Sequence, residues 1–245
     1  MLLVNYSLTS KTLINLYKGT KLDSKHFPNL TLVDIPSTFV LARSLLENYL
    51  TIYYLFIESK QNEDIVAYRN WIFELSGLSK RQNFGDESNL SHELIKKKKQ
   101  EANLIKVIRA VIEENVEFQK LEAKTKKSIL KAPTYRIPAK TYTWIELFEM
   151  SKLSNDIFRG YWKIYSNYAH SEFLAIMQLE SLFADPINFR LFQFQTLKVQ
   201  VLLICHLITE VKDLFDCTQI RYDEQDDIYK EEVEIWNKIA TQTIE

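Results

Sequence analysis

Two short stretches place ionisable groups inside otherwise apolar helical segments: Arg43-Ser-Leu-Leu-Glu47, and Tyr165-Ser-Asn-Tyr-Ala-His170-Ser-Glu172 far downstream. On a helical wheel Arg43 and Glu47 stand about 40° apart, in the sector that also holds Phe39, Leu46, Leu50, Tyr54 and Ile57, so both point to the core side. Burying such a pair costs several kcal/mol unless further hydrogen bonds complete it, which predicts a third partner. His170 is that candidate, because Arg159, Lys163, Asn167 and His170 line one polar stripe of their helix. A histidine beside a carboxylate moves protons near neutral pH, and an arginine stabilises a developing phosphate or other oxyanion. The expected catalytic set is therefore Arg43, Glu47, His170 and Asn167, with metal-independent hydrolysis as its chemistry. The same trio also fits a non-catalytic reading, in which a satisfied buried network fixes how two helices pack.

A second constellation is basic. From Lys96 to Lys140 there are thirteen Lys or Arg against five Asp or Glu, an excess of +8, while Glu210 to Glu245 carries four against eleven, or −7. Lys96, Lys97, Lys98 and Lys99, followed by Lys126 and Lys127, are the residues expected to contact phosphates without reading bases. A solvated helix face, or docking against the acidic tail, is the alternative. The formal net charge of −1 excludes a global field that would recruit nucleic acid or a membrane, so any such contact must be local. Expected partners are RNA or a nucleotide, and a protein partner or a second copy.

Other chemistries lack their motifs. There is no P-loop, no G-x-S-x-G, no dinucleotide fingerprint and no H-E-x-x-H, and His26, His92 and His206 show no metal-ligand spacing, so neither cofactor nor metal is expected. Cys205 and Cys217 fall in one apparent helix about 18 Å apart, too far to bridge. No basic leader or apolar run of about 20 residues is read, which points to a cytoplasmic protein without a membrane span.

The elements that must position these groups are helices. Only four Gly and five Pro occur in 245 residues, against 46% hydrophobic residues, a balance that disfavours turn-rich β folds. The pattern predicts an all-α multi-helix bundle forming one domain over 1–245, with an irregular segment at 1–35 that holds a short amphipathic stretch near Thr9 to Lys18. Helices follow from about Pro36 to Glu58, Glu63 to Leu75, Ser91 to Glu122, Trp144 to Lys152 and Asp156 to Phe183. A basic linker or loop is expected at 123–140, a long central apolar helix from Asp185 to about Cys217 with His206 in its core, and an acidic helix at 224–241.

The pairing of R-x-x-x-E with a later S-x-Y-x-H-S segment, here Arg43, Glu47, Ser166, Tyr168, His170 and Ser171, resembles a family of bacterial helical proteins of unknown function. The likeness runs from about Pro36 to Leu182. It is also similar to the HEPN helical bundles, many of which are ribonucleases of toxin and antiviral systems and carry R-x(4 to 6)-H. The resemblance implies a nuclease or nucleotide-binding role. Here Arg159 precedes His170 by eleven residues and Tyr165 occupies the nearest motif position, so Arg43 would have to supply the arginine from another helix.

Overall fold

Asp34 begins the first strongly patterned helix. Its carboxylate accepts a hydrogen bond from Ser37 N at 3.1 Å, and Pro36 sits in the first turn, where no backbone N–H is required. In the computed structural model, which describes residues 1–22, 30–83, 91–131, 134–136, 142–169 and 173–242, the chain is all-α. Its helices are α1 (Leu2–Tyr17), α2 (Ile35–Ile52), α3 (Glu63–Gln82), α4 (His92–Glu114), α5 (Val116–Gln119) and α6 (Ala123–Lys131). Then come α7 (Trp144–Met150), α8 (Asn155–Ala169), α9 (Phe173–Ala184), α10 (Pro186–Val211), α11 (Asp216–Asp223) and α12 (Asp227–Thr241). The one sheet among the described residues is a hairpin of β1 (Thr20–Leu22) and β2 (Leu30–Leu32), paired antiparallel with Thr20 opposite Leu32.

The chain packs as two compact units, Met1–Tyr53 with Leu147–Glu245, and Tyr54–Glu146. In the first, α2 packs on α1, α8 and α10, and α12 lies along α10. Its core includes Leu13, Phe39, Leu46, Leu50, Phe158 and Leu202, all at most 1% exposed. In the second, α3, α4 and α5 pack together around Tyr68, Ile72, Leu75, Ile108, Ile112 and Ile129.

Several boundaries differ from the sequence reading, each for a local reason. The segment 1–35 is not irregular at its start: α1 occupies Leu2–Tyr17, and Gly19 follows at φ 74°, a left-handed position that glycine adopts without strain. The helix expected to reach Glu58 passes at Tyr53 into a π-helical turn, Tyr53–Ile57. In an α-helix the Tyr54 carbonyl would receive the N–H of Glu58; here Arg69 Nη1 donates to it at 2.6 Å. Asn115 divides the predicted Ser91–Glu122 helix. Its backbone is extended, and its side chain accepts from Glu117 N at 2.9 Å, an alternative to helix that asparagine readily offers.

The predicted basic loop is in part a helix. Residues Ala123–Lys131 form α6, because Ile129 is fully buried and lysine is a good helix former. The central helix α10 ends at Val211, and the separate α11 takes up Cys217. The stretch Ile187–Val211 is long and apolar enough to cross a membrane by length and composition, with 44% of its most apolar window buried.

Candidate functional site

Aromatic packing sets the α2–α8 seam. The Phe39 ring meets Tyr165 at 5.3 Å and Tyr168 edge-on at 4.6 Å, contacts worth roughly 1 kcal/mol each beyond the area they bury. One turn further along α2, the Arg43 guanidinium lies 5.9 Å from the Trp162 ring. A step forward on α2 is thus matched by a step back on α8, so the two helices run antiparallel. Arg43 Nε donates to Glu47 Oε1 at 2.8 Å, the i,i+4 pairing expected. The two side chains are 16% and 26% exposed, which makes the pair part-open rather than sealed. Water then screens it, and its direct coupling is on the order of 1 kcal/mol.

From α8, Trp162 reaches this pair, and it is not one of the residues of the predicted polar stripe, Arg159, Lys163, Asn167 and His170. Its indole Nε1 is buried and makes no hydrogen bond among the described residues. Asn167 is half-buried five residues beyond Trp162, roughly 7.5 Å further along the α8 axis. His170, Ser171 and Glu172 lie outside the described residues, so the convergence of Arg43, Glu47 and His170 remains an expectation. Two other positions of the S-x-Y-x-H-S segment have structural duties. Ser166 Oγ donates back to Trp162 O at 2.7 Å, and Tyr168 is packed on Phe39. Arg159 and Lys163 are solvent-exposed.

The lysine run is distributed round α4. Successive residues are 100° apart, so Lys96 and Lys99 share the outer face with Lys106, and Lys97 flanks it. All four are exposed. Lys98 is half-buried, and its carbonyl accepts from Gln82 Nε2 at 3.1 Å. The acid nearest in sequence after this run, Glu101, turns inward to Arg81 at 2.7 Å and does not compensate the outer lysines. Lys126 is engaged locally, since its ammonium donates to Gln119 O at 2.9 Å and lies 5.7 Å from the Phe118 ring. Lys127 is exposed.

Two further buried polar groups are structural. His206 is the core residue the sequence suggested, 1% exposed, with Nε2 3.2 Å from Ser151 O and Nδ1 2.7 Å from Asn237 Oδ1. A carbonyl only accepts, so Nε2 carries a proton; Nδ1 then either receives from the Asn237 amide, its O and N interchanged, or is protonated as well. Arg69, not singled out from the sequence, is 5% exposed in α3, ion-paired to Glu58, and 4.3 Å from the Tyr54 ring. Its signal was faint: one arginine facing an apolar helix side, without a carboxylate at i,i+4. Among the described residues no three His, Cys, Asp or Glu gather as metal ligands.

A helical unit with a part-open Arg–Glu pair under a tryptophan defines a class of architecture rather than an activity. The chain belongs to the family of unknown function DUF5677, whose model matches residues 30–185, a span that contains Arg43, Glu47, the α4 lysines and His170. No curated protein and no solved structure matches the chain.

Proposed function

We propose that the chain is an RNA-binding, HEPN-like helical protein. It holds phosphates on the outer face of α4, and Arg43, Glu47 and His170 form a metal-independent cleavage centre. The observation that carries this reading is the exposure of Lys96, Lys97, Lys99 and Lys106 with no ion pair to any of them among the described residues, while Glu101 is committed to Arg81. Such a face binds a phosphate backbone by releasing counterions and needs no base contacts. At the centre, His170 would take the proton of the ribose 2′-hydroxyl as its oxygen attacks phosphorus. Arg43, oriented by Glu47, would stabilise the charge on the phosphoryl oxygens, and the departing 5′-oxygen would take a proton from solvent water as its bond to phosphorus breaks. A place in a bacterial toxin or defence system belongs to the same proposal.

The test is incubation of the full chain with a labelled single-stranded RNA in the presence of a chelator. Cleavage to cyclic-phosphate ends, abolished by His170→Ala with melting unchanged, is the expected result. A second reading is favoured by one observation: Arg43 Nε is spent on Glu47 and its guanidinium faces Trp162. In it the trio is a structural network within a non-catalytic interaction or sensor module. Absence of cleavage together with a lowered melting temperature for His170→Ala would select that reading.

A further inference from the structure

We propose that the outer faces of α9 and α10 form a two-fold contact between two copies of this chain. Phe173, Ile176 and Met177 recur on one side of α9, and Ile187, Leu191 and Phe194 follow at i, i+4 and i+7 on α10, all between 50% and 74% exposed. A stripe at that spacing is what a helix presents to a partner, and isolated exposed apolar residues do not recur with a helical period. Together the six leave roughly 700 Å² of mainly apolar surface open, close to the about 800 Å² per partner that a standard interface buries.

Charge selects a second copy as the occupant. The ionised side chains among these outer positions include Glu180 on α9 and Arg190 on α10, both exposed and neither ion-paired among the described residues. Each lies five residues from the single connecting residue, Asp185. With exposed Glu180 and Arg190 in balance and Lys198 half-buried a turn beyond Phe194, the face carries little net charge to attract a polyanion or an anionic membrane, yet it complements itself. In an isologous contact Glu180 meets the partner's Arg190, and the reverse pair forms by symmetry. Shape agrees: Leu191 also borders a groove of about 470 Å³ between α8 and α10, floored by Ile157, Tyr161, Ile164 and Phe192, which gives a protruding aromatic of the other copy an apolar seat.

The test is sedimentation equilibrium of the full chain across the micromolar range, with circular dichroism as the folding control. The wild type should be a dimer. Ile187→Glu with Phe194→Glu, at positions already in water in the single chain, should leave melting at monomeric concentrations unchanged and raise the dissociation constant at least about 100-fold, as loss of two central anchors does. Glu180→Arg and Arg190→Glu should each weaken association about tenfold, and the double exchange should restore it to within about threefold. A monomeric wild type, a dimer indifferent to the apolar substitutions, or a double exchange weaker than either single one would overturn the proposal. A monomer that instead floats with phosphatidylcholine vesicles would overturn it and assign the surface to lipid.

Discussion

At the scale of single residues, the polar groups that the fold buries divide into those closed by partners and those left part-open, and the division predicts how each responds to substitution. His206 is closed. Replacing it with leucine removes both hydrogen bonds, leaving Ser151 O with only the long 3.5 Å bond from Tyr49 and the half-buried Asn237 amide without its ring partner, which should cost roughly 1 to 3 kcal/mol in denaturant unfolding. Arg69→Ala should cost about 3 kcal/mol, the lower end for breaking a buried pair because Glu58 retains 30% exposure. Arg43→Met should cost less than Arg69→Ala, with about 1 kcal/mol of the loss coming from the Glu47 pair, whose members keep 16% and 26% exposure. A loss as large as that of Arg69→Ala would mean Arg43 belongs to the sealed class. The Arg43–Glu47 pair was legible in the sequence because both its members lie on one helix, where spacing fixes their geometry. Trp162 was not legible as their neighbour, because the register of α2 against α8 is set by Phe39, Tyr165 and Tyr168, a tertiary contact that no single-helix pattern encodes.

At the scale of elements, long apolar periodicity carried the reading well through α2, α10 and α12, and failed where a side chain competes with the backbone. Asn115 breaks α4 from α5 through its own amide, and Arg69 captures the Tyr54 carbonyl to open the π turn; neither event alters the 3.6-residue pattern. The opposite failure occurred at α6, whose lysines hid the single anchor Ile129. That anchor makes a prediction. Ile129→Asp should release α6 and speed tryptic cleavage at Lys124, Lys126 and Lys127 while α2 remains protected, because cleavage follows local opening. Equal acceleration at Arg43 would show that Ile129 supports more than its own helix.

At the scale of the whole molecule, ionisation and surface charge dominate. Burial pushes the phenols of Tyr6, Tyr17, Tyr49, Tyr54, Tyr68 and Tyr165 above their ordinary range, and the Cys205 thiol up to about 11, with Glu232 adding to the latter. Each group keeps its proton in the folded state after the unfolded chain has lost it. Stability should therefore be intact below about pH 9 and fall as pH rises through 9 to 11 and beyond, the window set by the ordinary thiol and phenol values of 9.0 and 10.0. Tyrosinate absorbance should accordingly rise in two stages, the buried phenols ionising only together with loss of helical circular dichroism. A single smooth titration with the helices intact would contradict their burial.

The measurement that bears most directly on RNA binding by α4 is the salt dependence of affinity for an unstructured single-stranded RNA, compared between the wild type and the Lys96→Gln, Lys97→Gln, Lys99→Gln triple variant. Each lysine that neutralises a phosphate contributes about 0.7 to the slope of log affinity against log salt on a single strand, so the triple variant should flatten the slope by about 2 and weaken binding alike for unrelated sequences. An unchanged slope in the variant, or no binding by the wild type even at low salt, would contradict the account.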